Sequence, residues 1–288
     1  MPFESRNLIK LSLFCLLILL QGCAFQTISR SKNLTYLEAD SKNSLPEKQL
    51  NVFSPKGAKD LPVLIFIHGG SWNSGNKEIY DFLGSRMARK SIVTVVIDYP
   101  LAPDFQIQSM ELAAVQAVIW TKNHIANYGG DPDQIFISGH SAGGHLAALL
   151  ATKEKDFLSS EMKNPLKGAI LIDPAGLDMH WFLQETKGTD EGNKYLGAFT
   201  EDENVWKEAS PIYFLEGENM PILIMEGENT YPGIRLTIDR FRKKADEKGI
   251  PIGYEYYEKK KHIPMITQFF WTYNRGYKEV LGFIEGNK

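Results

Sequence analysis

Apolar residues along this chain fall into two patterns. Short unbroken runs occupy residues 62–67 (PVLIFI), 92–97 (IVTVVI), 135–137, 169–172 and 222–225. They carry the β-branched residues of strands covered on both faces. Residues 50–53 add a short early strand, and residues 252–257 an alternating one. Between them the spacing becomes helical. Ile79, Phe82, Leu83 and Met87 fit one helix, and residues 112–125, 142–151 and 267–284 fit three more. Residues 236–248 form a charged amphipathic helix that ends at Gly249. Strands alternating with helices predict an α/β fold, a mostly parallel central sheet with helices on both faces. The stretch 174–220 is too long for a simple connection. With Trp181, Phe182, Tyr195 and Trp206 it suits either a small cap over a pocket or a pair of packed surface helices.

The first residues follow neither pattern. Arg6 and Lys10 give a basic start, and residues 11–20 (LSLFCLLILL) are almost wholly apolar. That run falls short of the roughly 20 residues a spanning helix needs. It has the layout of a secretory signal peptide. The residues that close it, Leu20-Gln21-Gly22-Cys23, resemble the bacterial lipobox. The resemblance implies cleavage before Cys23, acylation of that cysteine, and a lipid anchor in the bacterial cell envelope, periplasmic or on the outer surface. A plain signal peptide cut nearby, or a buried apolar helix, is the alternative. The chain then divides into a signal peptide (1–22), a Ser-, Lys- and Asn-containing tether (23–45) and one domain (46–288).

Composition narrows the chemistry. Over 288 residues, 43% are hydrophobic and 23% charged, which excludes collagen, coiled coil and wholesale disorder. A net charge of -3 offers no footprint for nucleic acid. The 2 cysteines are Cys15 and Cys23, so the domain holds no disulfide, cysteine nucleophile or thiolate metal site. There is no H-x-x-x-H pattern, so a metal hydrolase is disfavoured and no metal or cofactor is expected.

Gly139-His140-Ser141-Ala142-Gly143 fits G-x-S-x-G with a strand before it and an Ala- and Leu-rich helix after it. Small neighbours suit the strained turn that presents a nucleophilic serine, and the helix N-terminus aims free N–H groups at developing negative charge. His68-Gly69-Gly70-Ser71-Trp72 follows the strand at 62–67. Its glycines allow close backbone approach, so their N–H groups can complete an oxyanion hole with that of Ala142. A serine nucleophile needs a base, and His262 is the only histidine beyond His180. His140 and His145 lie too close in sequence to reach Ser141 as its base, and His68 reads as structural.

HGGSW, then IDYPLAP at 97–103, then YGGDPDQIFISGHSAGGHLAALLA at 128–151 resemble the α/β-hydrolase superfamily. Within it they are similar to small esterases of the kynurenine formamidase-like, prenylcysteine methylesterase-like and feruloyl-esterase-like group. The similarity runs from about residue 50 to the C-terminus. It implies hydrolysis of a small-molecule ester or related acyl bond. Ser141 is then the nucleophile, His262 the proton shuttle, and Gly70, Ser71 and Ala142 the oxyanion hole. One position departs from the family. The usual Asp, three residues after the Gly that closes the strand before the penultimate helix, is here Thr230. Glu228, the nearest carboxylate beyond that strand, is the expected acid, with Asp173, Asp178 and Glu226 as other sources. A silent hydrolase-fold lipoprotein that binds a ligand or partner is the alternative if no carboxylate reaches the site.

Overall fold

The computed structural model describes residues 27–40, 45–153, 157, 163–216 and 220–288. Eight strands form one sheet: β1 (Ile28–Leu37), β2 (Lys48–Pro55), β3 (Leu61–Ile67), β4 (Val93–Ile97), β5 (Gly130–His140), β6 (Leu166–Ile172), β7 (Ile222–Asn229) and β8 (Ile252–Lys261). Their order is β1-β2-β4-β3-β5-β6-β7-β8. The pairs β1/β2 and β2/β4 are antiparallel, and every pair from β4 to β8 is parallel.

Period-2 alternation explains why the central runs are apolar throughout. Val63, Ile65 and Ile67 of β3, with Ile135 and Ile137 of β5, enter one core with α2 (Ile107–His124) and α3 (Ala142–Thr152). Leu64, Phe66 and Phe136 enter the opposite core with α1 (Asp81–Ala88) and the C-terminal helix. A strand sandwiched by helices has no solvent-facing side on which to place polar residues.

Three expectations change. Much of the segment read as a tether, 23–45, is the edge strand β1, which runs antiparallel along β2. Polar and charged residues at its outer positions hide the alternation, as is usual on a sheet edge. Tyr36 is buried, however, and its hydroxyl donates to the Asp98 carbonyl at 2.5 Å. Second, the last helix is not continuous over 267–284. It is α9 (His262–Thr267), a 3₁₀ turn at Gln268–Phe270, and α10 (Arg275–Gly286). Asn274 makes the break: its amide donates to the carbonyls of Gln268 and Trp271, and its oxygen accepts the Tyr277 N–H as the N-cap of α10. Third, residues 174–216 are more than a plain pair of surface helices, and Met179, Phe182 and Tyr195 among them line a pocket. They form four short helices, α4 (Met179–Glu185), α5 (Asp190–Asn193), α6 (Leu196–Phe199) and α7 (Glu203–Glu208), and a 3₁₀ turn at Pro211–Phe214. The charged helix expected at 236–248 is α8 (Pro232–Glu247), which buries Ile234, Ile238, Phe241 and Ala245 along one stripe. The proposed signal peptide, Cys23 and residues 24–26 lie outside the described residues.

Candidate active site

β5 passes into α3 through one residue, Ser141, at φ 55° and ψ -119°. Few non-glycine residues adopt such angles, and they concentrate where structure holds them against strain. The neighbouring glycines are required sterically. A Cβ on Gly139 would lie 2.2 Å from the Gly143 carbonyl oxygen, and one on Gly143 would lie 2.1 Å from the Ile67 carbonyl oxygen. The turn is pinned on both sides. The Ser141 N–H donates to the Ile172 carbonyl at 3.1 Å, and the Ser141 carbonyl accepts from the N–H groups of His145 and Ala175 at 3.0 and 3.1 Å.

His262 is the first residue of α9, directly after β8. Its Nε2 lies 2.9 Å from Ser141 Oγ, and its Nδ1 lies 2.6 Å from Asp173 Oδ2. Ser141, His262 and Asp173 are 9%, 6% and 0% exposed, so the contacts are shielded from water. Asp173 follows β6, with φ 47°, an angle that Asp tolerates better than most residues. The Gly227 N–H donates to its Oδ1 at 3.0 Å, and the Thr230 hydroxyl donates to its Oδ2 at 2.5 Å.

Glu228 therefore does not occupy the place expected of it. It sits where the β7/β8 register shifts between Gly227 and Asn229, and its carboxylate accepts the Lys259 N–H at 2.5 Å. The other two candidates are also engaged elsewhere. Asp178 accepts from Arg240 Nε at 2.8 Å and caps α4 through the Trp181 N–H. Glu226 accepts from Arg235 Nε at 3.1 Å and from the Tyr254 hydroxyl at 2.8 Å, and burial pushes its carboxyl up. With Asp173 against His262, the gap that kept the silent-site alternative open is filled.

The remaining histidines have structural partners. His140 Nε2 lies 3.1 Å from the His262 carbonyl, a contact it makes by donating, and burial followed by the nearby His262 pushes its pKa down to about 3. It stays neutral 4.6 Å, ring to ring, from His262 and holds that residue's backbone. Sequence spacing excludes His140 as a base but gives no signal of this contact. His145 accepts from Trp72 Nε1 at 3.2 Å and donates from Nε2 to the Ala209 carbonyl at 2.7 Å. Burial pushes its pKa down to about 4. His68 is buried, stacked on Tyr99 at 4.3 Å.

Gly70, Ser71 and Trp72 all have positive φ, at 135°, 51° and 60°. Gly70 is held by its carbonyl, which accepts from the N–H groups of Asn73 and Ser74 and from Ser74 Oγ. A Cβ there would lie 2.0 Å from the Ser74 carbonyl oxygen. Trp72 buries its indole against His145, Tyr195 and Phe199 and anchors the turn. Gly70, Ser71, Ser141 and His262 line one pocket of about 980 Å³. Two aromatic clusters form its walls: Tyr80, Phe82 and Phe270 on one side, Phe182 and Tyr195 on the other. The volume is at the upper end for a small-molecule site.

A mostly parallel sheet covered on both faces, with a serine in a strand-to-helix elbow and a histidine after the last strand, is the α/β-hydrolase fold. Residues 50–231, more than half of the chain, match the BD-FAE family, and the chain belongs to that family. A probable isoprenylcysteine alpha-carbonyl methylesterase of Arabidopsis thaliana is 38% identical over 110 residues, 38% of this chain and 23% of that protein. The match thus spans about a quarter of the plant relative's length. Kynurenine formamidase of Danio rerio is 26% identical over 252 residues, covering 83% of this chain and 78% of that one. Esterase B from Lactobacillus rhamnosis shares the fold, with a TM-score of 0.75 at 18% identity over 99% of this chain and 96% of that chain.

Proposed function

We propose that this protein is a serine carboxylesterase that hydrolyses a small-molecule ester at Ser141. One observation carries the reading: Ser141 Oγ, His262 and Asp173 stand in line at 2.9 and 2.6 Å inside an apolar pocket. Asp173 accepts the Nδ1 proton, which leaves Nε2 free to act as base. Ser141 Oγ bonds to the ester carbonyl carbon while its proton passes to Nε2. The carbonyl oxygen takes up negative charge beside the N–H groups of Gly70, Ser71 and Ala142. When the tetrahedral adduct collapses, the bond to the alcohol oxygen breaks and His262 gives the proton to the leaving group. Water then attacks the acyl-serine, loses a proton to Nε2, and releases the acid and free Ser141. The apolar walls suit an ester with an apolar acyl or alcohol part. Ser141→Ala should fold normally and lower hydrolysis of p-nitrophenyl acetate by several orders of magnitude. Turnover near the wild-type level in that variant refutes the mechanism.

We infer separately that Cys23 carries a lipid anchor in a bacterial envelope. The lipobox-like residues support it, and the position of β1 gives it a consequence. Five residues, 28 - 23, take the chain from Cys23 to Ile28, roughly 18 Å at full extension. Ile28 pairs with Pro55, past the point where Phe53 meets Thr94 near the start of β4. Ser141 lies at the opposite, C-terminal end of the parallel strands. An anchor so close holds the far end of the sheet toward the lipid and turns the pocket to the aqueous side.

A further inference from the structure

We propose that the wall of the pocket formed by Ile79, Phe82, Ile263, Ile266 and Phe270 seats a linear aliphatic chain of the ester. The substrate is then an amphiphile, with its chain on this wall and its polar part on the other. The proposal rests on the esterase reading above. The wall is continuous with the reacting groups. Ile263 and Ile266 stand on α9, the helix that His262 begins, and all five residues line the same pocket as Ser141. A group bonded to the ester at Ser141 reaches them without leaving the pocket.

Charge divides this pocket. Apart from the histidines, the charged side chains that line it among the described residues are Glu191 and Lys194, and both belong with Tyr195 on the opposite wall. The proposed chain wall carries none. Instead Ile79, Ile263 and Phe270 are 56%, 54% and 47% exposed, apolar surface that gains when a chain takes it out of water. The side chains suit a flexible chain better than a ring. Phe82 and Phe270 stack on each other at 3.8 Å and 20°, so each has one ring face occupied. The three isoleucines offer no face for stacking, whereas their contact with methylenes needs no direction. The wall is also built in advance. Arg86 of α1 donates to the Phe270 carbonyl at 3.1 Å and to the Thr272 hydroxyl at 2.7 Å. From the other side the Asn274 amide holds the carbonyls of Gln268 and Trp271. Phe270 is thus fixed against Phe82, and covering it with a chain costs little ordering.

The test compares two sets of esters, with released acid followed by pH-stat and each ester kept below its aggregation concentration. Ethyl esters from acetate to octanoate lengthen the acyl part, and acetates from ethyl to octyl lengthen the alcohol part. A methylene buried completely is worth about four-fold in kcat/KM, and one on a wall open to water about two-fold. One of the two sets should therefore gain about thirty-fold or more from its shortest to its longest member. A gain along the acyl set seats the acyl chain on this wall, and a gain along the alcohol set seats the alcohol chain there. Ile79→Asp places a carboxylate on the wall, and Phe270→Ala removes half of the stacked pair. Each should cut that gain about five-fold or more, at one methylene lost for every two-fold. Lys194→Gln, on the opposite wall, should leave the gain as it is. The proposal is overturned if kcat/KM is flat or falls with chain length in both sets. It is equally overturned if Ile79→Asp and Phe270→Ala, folded by circular dichroism, keep the wild-type gain, or if Lys194→Gln loses as much as they do. Ile79 is exposed, so its variant decides the matter even if Phe270→Ala does not fold. Retained turnover in Ser141→Ala refutes the esterase reading itself, whatever the chain length does.

Discussion

Acid should loosen this domain through its buried histidines, and His145 allows the effect to be isolated. Both of its ring nitrogens are committed in the neutral form: Nδ1 accepts from Trp72 Nε1, and Nε2 donates to the Ala209 carbonyl. A proton on Nδ1 faces the Trp72 N–H and breaks that bond, on the indole that anchors the turn carrying Gly70 and Ser71. Burial pushes the pKa of His145 down to about 4 and that of His140 down to about 3, against 6.5 in the unfolded chain. Between those limits the unfolded chain binds more protons. Stability is therefore complete above pH 6.5 and is lost as pH falls toward the folded values. From pH 6.5 to 5 each histidine contributes a loss of about 2 kcal/mol. Burial shifts His68 in the same direction, whereas the raised carboxyl of Glu226 acts in the opposite sense. His145→Gln removes one titration, since glutamine can accept from Trp72 and donate to Ala209 without gaining a charge. Urea unfolding, followed by tryptophan fluorescence near pH 7.5 and pH 5, should show a clear loss in the wild type. The variant should lose about 2 kcal/mol less over the same interval. Equal losses in the two proteins would falsify the assignment of His145 as a neutral, doubly bonded imidazole.

Asp173→Asn should lower kcat by about 10³- to 10⁴-fold, as expected when the residue that orients a triad histidine loses its charge, while Glu228→Gln should stay within a few-fold of wild type; steady-state kinetics on the pair separates the two carboxylates, and the opposite ranking would return the role to Glu228. Gly143→Ala places a Cβ 2.1 Å from the Ile67 carbonyl, so the elbow must shift; thermal melts should show a large drop in midpoint or no folded protein, and a melt like that of the wild type would contradict the required close approach. Cys23→Ser should release the full-length protein from the membrane fraction of a bacterial host or block its processing, and unchanged partitioning would argue against the anchor.

The fold is legible wherever burial is two-sided. The β3 and β4 runs have no solvent-facing side, so their apolar stretches stand out within a residue of the observed strands, whereas the β6 run begins three residues into its strand, past the exposed Lys167. β1 does not stand out, because its outer edge is free and its pattern mixes exposed and half-buried positions. Ser141 and His262 are legible for a different reason. The elbow demands glycine at fixed spacing, and only one histidine lies late enough in the chain. The carboxylate is harder to read, since any of several strand tips can face the same imidazole. Position along the chain favours Glu228, but the bulge between Gly227 and Asn229 turns it to the Lys259 N–H. Asp173 reaches His262 because the tips of β6 and β7 are level, a matter of register that no local pattern encodes.

In the proposed mechanism Ser141 attacks an ester carbonyl with His262 as its base. Active-site titration with a serine-directed organophosphonate, read by peptide mass spectrometry, tests it most directly. One phosphonyl group per chain should appear on the peptide containing Ser141, at a rate that falls as His262 becomes protonated, with turnover lost in proportion. Labelling at another residue, or full turnover in protein whose Ser141 is labelled, would contradict it.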